Sequence, residues 1–281
     1  MPTAEIARSA SEAIGDELRF EFGKNWARFL EVVTEAHVHE AELSLQQALQ
    51  VQDLAQKCFL DIGSGSGLFS LAARRLGARV HSFDYDPTSV ACTRTLREKF
   101  FPSDERWTVE RGSVLDEDYL RGLGQFDVVY SWGVLHHTGD LWKALELAAR
   151  PVRVGGCLFV SIYNDQGRAS RWWTRVKVVY NRLPRTLRFL ILLPSLLGIW
   201  GLTFVRDTLR LNPLKTWNNY NAKRGMSAWH DLVDWVGGYP FEVAKPEAVF
   251  QLYRARGFRL EGLSTRAGGF GCNQFLFVLE R

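Results

Sequence analysis

Between residues 58 and 163 the apolar residues come in short runs rich in β-branched and aromatic side chains, separated by stretches with helical spacing. Cys58 to Ile62, Arg79 to Asp84, Trp107 to Arg111, Phe126 to Ser131 and Cys157 to Tyr163 are the predicted strands. "LFSLAARRLG", "DPTSVACTRTLREKF" and "DLWKALELAARPV" are the predicted helices between them. Strands alternating with helices predict a parallel sheet wound on both faces. Residues 1–57 read as a helical preface, with Phe20, Phe22, Trp26, Phe29 and Leu30 near helical intervals.

Regularity breaks at Asn164 and returns near Lys245, where "KPEAVFQLYRARGFRLEGLSTR" predicts a helix, a glycine turn and a strand. "CNQFLFVLER" supplies a last strand, and the link before it is too short for a parallel crossover, so that strand must run antiparallel. The fold class is therefore α/β: a doubly wound, seven-stranded, mostly parallel sheet with a reversed last strand. The expected domains are a helical N-terminal extension, 1–57, a cofactor-binding sheet domain, 58–163 with 245–281, and a helical insertion after the fifth strand, 164–244.

Composition changes this picture little. A chain of 281 residues that is 46% hydrophobic can bury a full core, and a net charge of +4 means that any basic surface must be local. Cys58, Cys92, Cys157 and Cys272 have no paired spacing, and the first twenty residues lack the apolar core of a signal peptide. A reducing, cytoplasmic setting is expected, with no disulfides and no metal.

The chemistry concentrates in "CFLDIGSGSGLFS", residues 58–70. A dinucleotide fingerprint wants G-x-G-x-x-G, yet Gly63, Gly65 and Gly67 are spaced by two and Leu68 stands where the third fingerprint glycine belongs. Asp61 just before the turn would repel a pyrophosphate and attract a cation. Asp84, at the end of the second strand in "VHSFDYDP", suits both hydroxyls of a ribose. A ribose and a cation together describe S-adenosyl-L-methionine. "RGSVLD" offers Ser113 and the Val114 backbone to an adenine edge, and "SWGVLHH" offers Trp132 as a wall.

"DIGSGSG", "FDYDP", "GSVLD" and "VLHH" stand in this order over roughly half the chain, and in them the sequence resembles class I S-adenosylmethionine-dependent methyltransferases, the ubiquinone-pathway and related small-molecule members above all. The resemblance implies that Asp61 and the backbone of Gly63, Ser64, Gly65 and Gly67 hold the methionine moiety. It implies Asp84 and Tyr85 at the ribose, Ser113 and Val114 at the adenine, and Ser131 and Trp132 beside the donor. The family often has an acid where Ser113 stands.

Acceptor chemistry falls to the insertion by elimination. Its second half is dense in aromatic and hydrogen-bonding groups, which suits a lid over a pocket. Trp217, Tyr220, Arg224, Trp229 and Tyr239 are its candidate acceptor contacts, joined by Tyr163 and Asn273 from the sheet domain. Methyl transfer is an in-line displacement that needs alignment, desolvation and removal of the acceptor's proton. His230 is the preferred base, with His136 and His137 as the other catalytic candidates.

The first half differs in kind. Gln166 to Arg188 carries Arg168, Arg171, Arg175, Lys177, Arg182, Arg185 and Arg188 with no acid, and "FLILLPSLLGIWGLTFV" follows, about 25 Å long as a helix and short for a bilayer span. A buried lid, a homodimer contact and a peripheral membrane or lipid contact through 166–205 all remain open. The expected function is methyl transfer to a small, apolar or lipid-like acceptor, on oxygen rather than nitrogen, releasing S-adenosyl-L-homocysteine (SAH). The alternatives are a nucleic-acid methyltransferase using the basic arm 166–188 and a non-catalytic cofactor-binding module. Against nucleic acid, the position after the fourth strand reads "SWGV" rather than an Asn/Asp-Pro-Pro-aromatic tetrapeptide.

Overall fold

A computed structural model describes residues 19–31, 33–220 and 228–281, with the side chains of Lys24 and His230 outside that description. The chain divides into two compact units, one comprising Glu21–Gln166 with Glu242–Arg281, the other Gly167–Phe241 with Arg19 and Phe20.

The larger unit holds α1 (Phe22–Leu30), α2 (Glu35–Leu49), β1 (Cys58–Ile62), α3 (Leu68–Arg75), β2 (Arg79–Asp84), α4 (Pro87–Phe100), β3 (Trp107–Arg111), α5 (Glu117–Gly122), β4 (Phe126–Trp132), α6 (Leu141–Ala149), β5 (Val152–Tyr163), α11 (Pro246–Arg254), β6 (Phe258–Ser264) and β7 (Cys272–Leu279). The strands form one sheet in the order β3-β2-β1-β4-β5-β7-β6. The first five are parallel, and β7 runs antiparallel to both β5 and β6, as its short link to β6 requires. β1 is buried on both faces, as a central parallel strand must be. One core layer sets Leu60, Ile62 and Val129 against α5, α6 and α11, and the other sets Phe59, Tyr130 and Phe159 against α1 to α4.

Strand order reverses between β1 and β4, and their carboxyl ends form the crevice where such sheets bind ligands. The chain enters α3 through Gly67, at φ 82, and α4 through Asp86, whose side chain accepts from the Thr88 amide ahead of Pro87 at the first helical position.

β5 starts at Val152, five residues before the expected Cys157. Gly155 and Gly156 look like a turn in sequence, yet Val152 pairs with Phe126 across a register shift, and Arg153 reaches Asp127 at 2.5 Å.

The smaller unit is helical among its described residues: α7 (Arg168–Arg182), α8 (Phe189–Leu209), α9 (Lys215–Asn218) and α10 (Ala228–Gly237). Tyr180, Leu192, Leu232 and Val236 form its core, with Phe20 packed against them. Phe20 donates its amide to the Tyr239 carbonyl at 2.9 Å.

Candidate functional site

The glycine turn closes over the end of β2. The Gly63 and Ser64 amides donate to the Phe83 carbonyl at 2.9 and 3.1 Å, and the Gly65 amide donates to Asp84 Oδ2 at 2.9 Å. The Asp86 amide donates to Asp84 Oδ1 at 2.9 Å. Gly65 needs to be glycine twice over, since φ is 55° and a Cβ would stand 3.1 Å from the indole of Trp26. Burial pushes the Asp84 carboxyl up to about 6, against the pull of the Gly65 and Asp86 amides. Each of its oxygens accepts one of these amides and retains capacity for a second donor, so the carboxylate fits a vicinal diol.

Asp61 faces elsewhere. Its carboxylate is 3% exposed and accepts from Ser70 Oγ of α3 at 2.5 Å. Ser82 Oγ donates to Ser70 Oγ at 2.7 Å, and Trp107 Nε1 donates to Ser82 Oγ at 2.9 Å, which completes a buried relay under α3 from β3 to β1. Burial lifts Asp61 from the ordinary 3.8 to about 7, with the Asp84 charge adding to the rise and the Ser70 bond opposing it.

The other residues named from sequence at the cofactor fall as follows. Ser64 Oγ lies 2.9 Å from Thr93 Oγ1. Tyr85 is exposed beneath the Arg111 guanidinium, 5.6 Å from its ring centre. Ser113 Oγ accepts from the Leu115 amide at 3.2 Å, and the Val114 side chain joins the core. Ser131 is buried and donates to the Ile62 carbonyl, which ties β4 to β1, while Trp132 beyond it is exposed.

From β4 the chain passes Gly133, at φ 76, and forms a single helical turn, Leu135–His137. A Cβ on Gly63 would collide with Val134, so this turn and the glycine turn touch. His136 is buried; its Nδ1 accepts from the Tyr163 amide at 3.4 Å and its ring lies 3.9 Å from that of Tyr163. His137 is half-buried, 4.5 Å from the His136 ring, 5.5 Å from Tyr163 and 4.9 Å from Phe22. Glu242 clamps this segment. Its amide donates to the His136 carbonyl at 3.0 Å, and its carboxylate accepts from the Gly139 and Leu141 amides at 3.0 and 3.1 Å. Burial holds the Glu242 carboxyl above the usual carboxylate range.

Asn273 is 1% exposed; it accepts from the Arg266 amide at 2.9 Å and donates to Asn164 Oδ1 at 3.0 Å, clasping the start of β7 to the end of β5. The remaining acceptor candidates lie in the helical unit. Trp217 packs 4.9 Å from Trp200, Tyr220 donates to Asp231 Oδ2 at 2.5 Å, Trp229 is exposed on α10, and Tyr239 accepts from Phe20. Arg224 lies outside the described residues, as does the side chain of His230, whose backbone belongs to α10.

Three residues at the site carry no sequence assignment to the cofactor or the histidine turn: Phe22 and Trp26, one turn apart on α1, and Glu242. The aromatic pair at an i, i+4 spacing was the signal available for α1. Glu242 gave none, because the segment it clamps is a hundred residues away.

Residues 35–230, more than two thirds of the chain, match the family described as Methyltransferase domain. A ubiquinone biosynthesis O-methyltransferase of Rhizobium etli (strain CIAT 652) is 29% identical over 187 residues, which cover 62% of this chain and 71% of that protein. One from Methylobacterium sp. (strain 4-46) is 32% identical over 120 residues, 42% of this chain and 45% of that protein, so the match spans less than half of this second relative. In fold, the chain is similar to the magnesium protoporphyrin IX methyltransferase of Synechocystis PCC 6803 with bound SAH, with a TM-score of 0.53 at 14% identity over 95% of this chain and 99% of that one. The split-spaced glycine turn, the acid closing β2 and the reversed last strand thus occur in a chain that belongs to the methyltransferase-domain family and is an S-adenosylmethionine-dependent methyltransferase.

Proposed function

We propose that this enzyme methylates an oxygen of a small, apolar or lipid-like acceptor, and that His137 takes the acceptor's proton. The observation that carries this reading is the His136–His137–Tyr163 cluster at the carboxyl ends of β4 and β5, next to the glycine turn through Val134. Relatives named ubiquinone biosynthesis O-methyltransferase support oxygen as the methylated atom.

S-adenosylmethionine, when bound, supplies a methyl group already activated on a sulfonium. The protein's remaining work is to bind, align and deprotonate. In this reading Asp84 accepts from the ribose hydroxyls, the Gly63 to Gly67 backbone cradles the methionine end, and Trp26 and Trp132 exclude water from it. Asp61, turned under α3, acts on the cation only as a nearby charge once it ionises. His136 is the positioning partner, since its buried ring accepts from the Tyr163 amide, and half-buried His137 stands beside it in the ring cluster as the base assigned to an acceptor hydroxyl. A phenolic hydroxyl made nucleophilic by a neutral imidazole needs no metal-bound base.

The test is turnover of phenols and catechols bearing apolar tails, with the product located by mass and by the carbon shift of the new methoxy group. His137→Ala should lower kcat by about 100-fold and leave SAH affinity within about threefold. Transfer only to amines, or full activity in His137→Ala together with its loss in His230→Ala, would overturn the oxygen or the base assignment respectively.

A further inference from the structure

The helical unit has a surface to which the proposed function assigns no role. On α8, Leu190, Leu193, Leu197, Leu202, Val205 and Leu209 are all exposed, Leu197 by 67% and Leu202 by 86%. The most apolar 18-residue window within Arg185–Leu209 has a mean hydropathy of 1.8, and only 11% of it is buried. The opposite side of α8 is occupied: Leu192 joins the core with Tyr180, Leu232 and Val236, and Ile191 and Leu196 pack beside them. Ile191, Leu192 and Leu196 in the first half of the helix and Trp200 and Phe204 in the second are committed to packing, while the leucines between and beyond them are bare, and exposed apolar surface of this extent marks an interaction site.

Charge identifies the partner. α7, joined to α8 by a single turn, exposes Arg168, Arg171, Arg175 and Arg182, and none of the four makes an ion pair among the described residues. Trp172 and Val179 are exposed on the same helix, and Arg168, Arg171, Trp172 and Arg175 line a shallow open groove. No acid occurs between Gln166 and Arg206. Unpaired arginine beside tryptophan and bare leucine matches the boundary between anionic headgroups and acyl chains. We propose that this unit docks on an anionic bilayer, with the outer face of α8 in the acyl boundary and the arginines of α7 among the headgroups.

The contact lies along the surface and does not span it. α8 is about 30 Å long, enough in length alone to cross. Crossing would strip Leu192 and Leu196 from α10, and it would carry Asp207 into lipid. That carboxylate is 4% exposed and accepts from the Thr216 amide at 2.7 Å and its hydroxyl at 3.0 Å, which closes α8 onto α9. A bilayer surface leaves all of these bonds intact. The inference stands on the helical unit alone and is independent of the acceptor and of the base.

The experiment is cosedimentation of the full chain with vesicles of phosphatidylcholine alone or mixed with phosphatidylglycerol, at low and high salt. The chain should pellet with the anionic vesicles at low salt and be released about tenfold or more at high salt. Arg171→Glu with Arg175→Glu should weaken anionic binding by well over tenfold, as each basic residue near such a surface is worth roughly fivefold. Leu197→Asp with Leu202→Asp should abolish pelleting at unchanged SAH affinity and circular dichroism, which separates lost docking from lost folding. A chain that binds SAH yet ignores anionic vesicles overturns the proposal. So does a dimer, seen by light scattering, that the leucine variant splits without any vesicle binding in the parent, or retention of the parent by duplex DNA but not by vesicles.

Discussion

The Gly65 amide donates to Oδ2 of Asp84 at 2.9 Å, so the glycine turn is bonded to the acid proposed to hold the ribose. Asp84→Ala should therefore weaken SAH binding by about 1.5 to 3 kcal/mol, the range for hydrogen bonds involving a charged group. Titration calorimetry on a variant with unchanged circular dichroism reads this directly, and an unchanged Kd would place the ribose elsewhere.

Trp26 and Gly65 should be energetically coupled. Gly65→Ala puts a Cβ at φ 55° and 3.1 Å from the indole, and the left-handed backbone alone costs roughly 1 to 2 kcal/mol. In the Trp26→Ala background the contact is gone and only the backbone cost remains. Thermal melts of the double-mutant cycle should show Gly65→Ala costing less there, and strict additivity would mean that the indole does not press on the turn.

Asp61 should make stability fall as pH rises. Its carboxyl titrates near 7 in the folded chain and near 3.8 when unfolded, so between these values the folded chain binds more protons. Unfolding free energy should decline from about pH 4 to pH 7, with Asp84 contributing up to about pH 6, and Asp61→Asn should make the decline shallower and remove the part that extends to pH 7. Denaturant midpoints measured across the window check it; the same slope in the variant would assign the effect to another group.

Lys177 should act in the opposite sense at higher pH. It is buried in the helical unit, donates to the Trp235 carbonyl and lies 4.6 Å from the centre of the Phe241 ring, and burial lowers it from 10.5 to about 7. Between about pH 7 and pH 10.5 the unfolded chain binds the extra proton, so stability should rise with pH there. Lys177→Met should remove the rise and increase stability at pH 7, because an unbranched apolar chain fills the same aromatic pocket without desolvating a charge. A fall in the melting midpoint at pH 7 would show the bond to Trp235 to outweigh the burial.

The order of strands and helices, the glycine turn and the cap at Asp86 were legible in the sequence because each is a local demand. Period, glycine at positive φ and proline at a first helical position are properties of neighbouring residues. The start of β5 was not legible, since Val152 is a strand residue only through Phe126 and Arg153 only through Asp127. The same limit applied at the site. A carboxylate before a glycine turn can face the crevice or the helix behind it, and Ser70, Ser82 and Trp107, brought together by three strands and α3, decided that Asp61 faces the helix. Asn273 looked equally free to meet a ligand until β7 paired with β5 and set it against Asn164. On α8, composition announced an apolar helix, but only the packing of Leu192 onto Tyr180, Leu232 and Val236 determined which leucines stay bare. Periodicity is written along the chain, whereas the choice of which face is buried belongs to whatever residue the fold brings opposite, and that partner is distant in sequence.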